Sequence, residues 1–122
     1  MQKSELENRL IKFSVSIIGM TNDLDDCFAS QHLSKQIIRS GTSSALNYGE
    51  AQGAPTKKDF IHKISIVLRE LRETQINLKI IEETGLMKDK IFLRNVLDEN
   101  SHLIAIFTKT FQTARLNETK EK

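Results

Sequence analysis

The sequence has little proline, little glycine and few aromatic residues other than phenylalanine. Its 122 residues include one proline, five glycines, one tyrosine and no tryptophan. Turns are built largely from glycine and proline, so this scarcity favours long helices over a sheet with many turns. A chain of this length is the size of one domain, and we expect a single core for residues 1–122.

Cysteine and long apolar runs are also scarce. Cys27 is the only cysteine, which excludes an intramolecular disulfide and a thiolate metal cluster within one chain. No apolar run approaches the ~20 residues needed to cross a bilayer. Charged residues between Glu5 and Lys12 interrupt the segment where a signal peptide would lie. We therefore expect a cytoplasmic protein with no membrane partner.

A strong excess of one charge is lacking as well. The formal net charge is +2, below that of a dedicated DNA-coating protein. The distribution of charge is therefore more informative than its total.

Apolar residues recur at steps of three and four in four segments, which is typical of helices with one face on a core. In the first segment the stripe consists of Leu6, Leu10, Phe13, Ile17 and Met20, widened by Ile11, Val15 and Ile18. The pattern predicts helices over about residues 4–21, 30–52, 57–84 and 89–116.

Residues that start or stop helices separate these segments. Gly53 precedes the only proline, and Gly85 is a second C-cap candidate. Thr56 with Asp59 three residues later indicates a helix start. Short connections imply antiparallel neighbours, so the predicted fold is all-α, an up-down-up-down antiparallel four-helix bundle.

The segment from Gln36 to Gln52 is rich in small residues around Gly41. It could form a ligand loop or a helix surface that a neighbour approaches closely. No phosphate-binding loop pattern is present. Because a glycine within a helix costs ~1 kcal/mol relative to alanine, we interpret it as a close contact with a helix of this chain or of another subunit.

The stretch from Gln36 to Thr74, QIIRSGTSSALNYGEAQGAPTKKDFIHKISIVLRELRET, resembles the bacterial four-helix bundle family named for proteins encoded in 23S rRNA intervening sequences. The matching residues are Arg39, Ser40, Gly41, Thr42, Ser43, Asn47, Glu50, Ala51, Lys58, Asp59, Phe60, Leu68, Glu70 and Glu73. Several members look like homopentameric barrels, and a distant, more basic relative is the nucleic-acid-binding accessory protein of diversity-generating retroelements. The resemblance implies a homo-oligomer, a pentamer, with no agreed activity.

Polar residues of the second and third helices should meet across an antiparallel hairpin. Its geometry places Arg39 opposite Glu70, and Glu50 level with Lys58 and Asp59. The polar stripe of the third helix that faces the second helix is predicted to be Lys63, Glu70, Glu73 and Asn77. The predicted structural polar network is Arg39, Asn47, Glu50, Glu70 and Glu73. The alternative is an acid pair that binds a metal or transfers protons.

That alternative lacks its usual motif, a Glu-x-x-His on each of two helices. Glu99 and His102 give the only match. We therefore predict no catalytic residue, no metal ligand and no cofactor, and we expect no small-molecule substrate.

The third helix also carries basic residues at steps of three, four and seven, on the side opposite Phe60. We predict them as nucleic-acid-binding residues: Lys58, His62, Arg69, Arg72 and Lys79. A solvated charged face, partly offset by Glu70 and Glu73, is the alternative. Tyr48 is interpreted as an interface anchor.

The sequence thus favours a non-catalytic, self-associating scaffold or adaptor with nucleic acid as its leading candidate partner. The alternative is a module with no nucleic-acid role, whose small-residue groove receives a partner protein's helix.

Overall fold

The computed structural model describes the backbone of residues 1–121 and the side chains of residues 1–118. Its helices are α1 (Lys3–Thr21), α2 (Phe28–Gln52), α3 (Lys57–Thr84) and α4 (Lys90–Glu121). Short connections make successive helices antiparallel, and the predicted all-α, up-down-up-down four-helix bundle is confirmed. As far as the structure describes them, these helices are not long and apolar enough to cross a membrane.

Both ends of α3 agree with the local signals. The Thr56 side chain accepts a hydrogen bond from the backbone N–H of Asp59 at 3.1 Å, and Gly85 ends α3 in the left-handed region with φ 70°. The α2 helix begins two residues earlier than predicted, after Cys27 in an extended conformation. The α4 helix continues past its predicted end at residue 116 to Glu121.

Each helix packs on two neighbours. The contacting pairs are α1 with α2, α2 with α3, α3 with α4, and α1 with α4, so α1 and α3 lie at opposite corners of the bundle. Buried apolar side chains from all four helices form one cluster. Its largest fully buried members include Leu10, Ile17, Ile37, Leu71 and Phe107.

Tyr48 belongs to this core, and its interpretation as an interface anchor is wrong. The residue is only 4% exposed, and its ring packs edge-to-face on Phe107 with centroids 5.3 Å apart. Sequence spacing placed Tyr48 on a small-residue face but could not show that this face points inward.

Part of the predicted α1 core stripe is also wrong. Ile11, Val15 and Ile18 are 48%, 63% and 46% exposed, whereas Ile17 between them is fully buried. At ~100° per residue, these three positions lie on the side of α1 away from Leu6 and Ile17. The helix therefore has a second, outward apolar face.

The small-residue segment of α2 is a helix packed inside the chain. A Cβ on Gly41 would lie 3.1 Å from both Cγ atoms of Ile17, and the Ser14 hydroxyl lies 3.4 Å from the Gly41 carbonyl oxygen. Ser40 and Ser44 are fully buried beside it. The close neighbour is thus α1 of the same chain rather than another subunit or a ligand.

Two loops are joined at one end of the bundle. Leu24 and Met87 form an isolated antiparallel bridge, and the Asp25 N–H donates to the Leu86 carbonyl at 2.9 Å. The Asp23 carboxylate accepts from the Asp89 N–H at 2.7 Å. These bonds fix where α1 ends and α4 begins relative to each other.

We predict that Gly41→Ala is less favourable than Gly19→Ala by about 1–2 kcal/mol. Both substitutions gain helix propensity, but a methyl group at Gly41 must displace Ile17, whereas the Cβ position at Gly19 has no atom within 4 Å. Urea unfolding gives both free energies. Ile17→Val should lessen the penalty at Gly41, and equal effects at the two glycines would contradict the close approach.

We also predict that Tyr48 ionises above the usual tyrosine range. Burial, reinforced by the charge of Glu7 and partly offset by Gln52, raises the pKa of Tyr48 above its ordinary 10.0. The folded state therefore disfavours the phenolate, so the free energy of unfolding should fall as pH rises above ~10.

Ultraviolet titration isolates this group because the chain has one tyrosine and no tryptophan. The phenolate signal should shift to higher pH in the folded protein and return to the ordinary range in denaturant. Identical titration curves in the two states would place Tyr48 in solvent. Tyr48→Phe should remove its share of the pH dependence.

Candidate nucleic-acid interface

The outer face of α3 carries the basic side chains that the sequence singles out. The helix buries its apolar side, including Ile64, Leu71 and Leu78. All five basic residues are exposed: Lys58, His62, Arg69, Arg72 and Lys79. Helical geometry puts them within one band opposite the buried side. We call this set the basic strip.

The basic strip extends about 31 Å along the axis at the helical rise of 1.5 Å per residue. Within the described part of the chain, no carboxylate lies within 4.0 Å of Lys58, Arg72 or Lys79. Arg69 is the exception, because its Nη2 lies 3.6 Å from Oε1 of Glu70. Most of the positive charge on the strip is therefore free to meet an anion.

Sequence reasoning missed two apolar side chains on this face. Ile76 and Ile80 are 58% and 43% exposed. Ile76 lies seven residues after Arg69, and therefore in nearly the same direction around the helix. The spacing that defines the basic strip places both isoleucines on the same face, whereas the predicted apolar seam of α3 does not include them.

The predicted contact between Arg39 and Glu70 is present. Arg39 Nη1 donates to Oε2 of Glu70 at 3.2 Å, and its Nη2 donates to Oε2 of Glu73 at 2.5 Å. The hydrogen bond to Glu73 and the charge of Glu70 raise the pKa of Arg39 above its ordinary value. The side chain of Glu70 is 5% exposed, and that of Arg39 is 60% exposed. The exposed guanidinium of Arg39 thus covers the buried carboxylate of Glu70 on the side that faces solvent.

A buried pair of hydroxyl groups lies beneath this bridge. Thr74 Oγ1 is 2.8 Å from Ser40 Oγ and 2.8 Å from the carbonyl oxygen of Glu70. Both side chains are fully buried. Their hydrogen bonds satisfy polar groups that burial would otherwise destabilise, and they set the register of α2 against α3.

Two other members of the predicted polar network have different partners. Glu50 is level with Lys63, whose Nζ lies 2.6 Å from Oε2, and not with Lys58 or Asp59 as predicted. Asp59 instead bonds to Thr56 at the start of α3. Asn47 donates to Ser43 within α2, so it does not bridge the two helices.

The only predicted carboxylate and histidine motif is occupied by an ion pair. Glu99 accepts from Nε and Nη2 of Arg9 at 2.7 and 2.8 Å, which ties α1 to α4 while His102 stays exposed. Among the described residues, no group of three or more histidine, cysteine or acidic side chains could hold a metal ion. Both carboxylate oxygens of Glu99 are therefore bonded to Arg9 in a bidentate ion pair, which is a structural role.

This chain is similar to known proteins in sequence and in fold. A family model described as 23S rRNA-intervening sequence protein matches residues 2–109. A crystal structure from Bacteroides thetaiotaomicron, described as a protein of unknown function from the S23 ribosomal protein family, is similar with a TM-score of 0.79 and 26% sequence identity. The similarity covers 92% of this chain and 99% of that chain. No curated protein matches the chain.

We predict that Arg39→Met lowers the free energy of unfolding by about 1–2 kcal/mol. The substitution leaves the buried Glu70 carboxylate with only the longer contact to Arg69, and an underpaired buried charge is costly. Arg94→Met is the matched control, because Arg94 pairs with the more exposed Glu82 and Asp98, and should cost below ~0.5 kcal/mol.

Urea unfolding measures both variants. Glu70→Gln in the Arg39→Met background should recover part of the loss, since a neutral amide does not need a cation. Equal costs for the two arginine substitutions, or no recovery, would mean that Glu70 is solvated in solution.

Proposed function

Since this chain belongs to the 23S rRNA-intervening sequence protein family, we propose that it is a non-catalytic, self-associating scaffold or adaptor that binds nucleic acid through the basic strip of α3. One observation carries the proposal. Five basic side chains are exposed along one helix, on the side away from the core. Such a row can neutralise successive phosphates and release their counterions.

The face favours phosphate contacts over base contacts. Phe60, the only Phe, Tyr or Trp of α3, is half-buried, so the imidazole of His62 is the one exposed ring that the strip offers for base stacking. Lysine and arginine contacts to phosphate position a nucleic acid without reading its sequence. We therefore propose binding that depends strongly on salt and weakly on sequence.

Self-association is the second part of the proposal. One copy has a formal net charge of only +2, and a single strip offers few phosphate contacts. A homo-oligomer, a pentamer by resemblance, would repeat the strip around one particle in the cytoplasm and multiply those contacts. The outward apolar face of α1 supports such assembly, because exposed apolar surface is a common mark of an interface.

A protein-partner module with no nucleic-acid role is the alternative. The small-residue segment of α2 does not favour it, since Ile17 already fills that space. An open groove does favour it, where Leu6, Phe60 and Ile106 lie near Lys109 between the ends of α1, α3 and α4. A partner helix with an apolar side would fit there.

We predict that Arg69→Glu with Arg72→Glu weakens binding to RNA or DNA at least ~30-fold at low salt, because two phosphate contacts become repulsive. The matched control is Lys88→Glu with Lys90→Glu, two exposed lysines outside α3 with the same change in net charge. It should weaken binding only slightly. Fluorescence anisotropy with RNA and DNA duplexes and single strands, titrated with salt, measures both.

The outcome separates the candidate functions. Selective loss in the α3 variant, with the particle mass unchanged, supports the basic strip. Equal loss in both variants indicates that binding follows net charge and not this face. No binding by the unaltered protein at low salt rejects the nucleic-acid role and leaves the protein-partner module.

A further inference from the structure

The outward face of α1 has the spacing of a coiled-coil seam. Ile11, Val15 and Ile18 follow one another at steps of four and three, which is the alternation of d and a positions in a heptad. Each is about half exposed or more. Asn8 continues the same row at an a position, and the core-facing row through Leu10 and Ile17 is separate from it.

Leu46 of α2 adds to this surface. The contacts of Gly41 with Ile17 and of Gly49 with Glu7 give the antiparallel register of α1 and α2, which puts Leu46 level with Ile11. Leu46 is 69% exposed. A stable interface needs roughly 800 Å² from each partner, more than three α1 side chains supply, so the surface extends beyond α1, and Leu46 is the exposed apolar residue of α2 at the level of Ile11.

Charged residues flank the seam in a complementary order. Glu7 precedes an a position and Lys12 follows a d position, which are the g and e positions of the heptad. In a parallel pair of helices, a g residue meets the e residue five positions later on its neighbour. Within the described side chains, neither Glu7 nor Lys12 has an ion-pair partner of its own chain.

We propose that α1 packs parallel to α1 of a second copy through Ile11, Val15 and Ile18, with Glu7 paired to the partner's Lys12. The occupant of this face is thus another copy of the chain. The inference rests on the self-association proposed above and names the surface that makes it. Parallel helices are what cyclic symmetry about an axis along the bundle produces.

The antiparallel arrangement is disfavoured by the same residues. If Val15 met the partner's Val15 in opposite directions, Ile11 would still meet the partner's Ile18, but Glu7 would fall level with a point beyond the end of α1 at Thr21. Glu7 would then be too far from the partner's Lys12 to form the ion pair. The charge pattern therefore selects the parallel arrangement.

Val15→Lys tests the seam in the full chain. Because Val15 is 63% exposed in one copy, the variant should fold with unchanged helix content while its dissociation constant rises at least ~100-fold, since each interface would bury an unpaired ammonium group. Ile91→Lys is the matched control, an isoleucine 77% exposed on α4, and should leave assembly unchanged. Sedimentation velocity over a range of concentrations measures both.

Charge reversal tests the orientation. Glu7→Lys and Lys12→Glu should each weaken assembly by about fivefold, and the double variant Glu7→Lys with Lys12→Glu should restore it. A double variant as weak as the single ones overturns the parallel pairing. Both proposals remain separable: an unaltered protein that is monomeric at every concentration overturns self-association itself, whereas an oligomer insensitive to Val15→Lys overturns only the α1 seam.

Discussion

The bundle depends on the small residues of α2, because they allow α1 and α3 to pack closely against it on two sides. At Gly41 the side chain of Ile17 takes the space that a Cβ would need. On the adjoining side of α2, the hydroxyl groups of Ser40 and Thr74 lie 2.8 Å apart. Bulkier residues on α2 would push both neighbours outward, and the guanidinium of Arg39 would then no longer reach Glu70. Close packing of small side chains thus brings the polar groups of neighbouring helices within hydrogen-bonding distance.

Sequence periodicity and end signals predicted the four helices and their antiparallel order, since both depend on local spacing. They also predicted the contact of Arg39 with Glu70. The partner of Glu50 was wrong because α2 and α3 are offset by about one turn from the register expected of a short hairpin, and the contacts of Ser40 with Thr74 and of Glu50 with Lys63 share this offset. Ile11 and Val15 were misplaced because a helix with apolar residues on two sides does not reveal which side meets the core.

The contacts of α2 with α3 also place acidic and basic residues of α3 on different sides of the helix. Glu70 is turned inward and is 4% exposed, and Glu73 is held by Arg39. Both carboxylates were expected to offset the basic residues of this helix. Because α2 draws them to its own side, the strip from Lys58 to Lys79 is not offset by these two carboxylates, although the net charge of the chain is only +2 and the exposed Glu83 follows Lys79 on the same side of α3. Position within the bundle, and not composition, produces that distribution of charge.

The opposite corners held by α1 and α3 make their outer faces non-competing. A copy engaged through α1 leaves α3 uncovered, and a copy engaged through α3 leaves α1 uncovered. In the proposed assembly, joining copies through α1 would therefore leave every basic strip open, and weak binding at each strip would add up to strong binding by the whole particle through effective concentration. Such a particle would release a long polyanion gradually, one bundle at a time, as ionic strength increases.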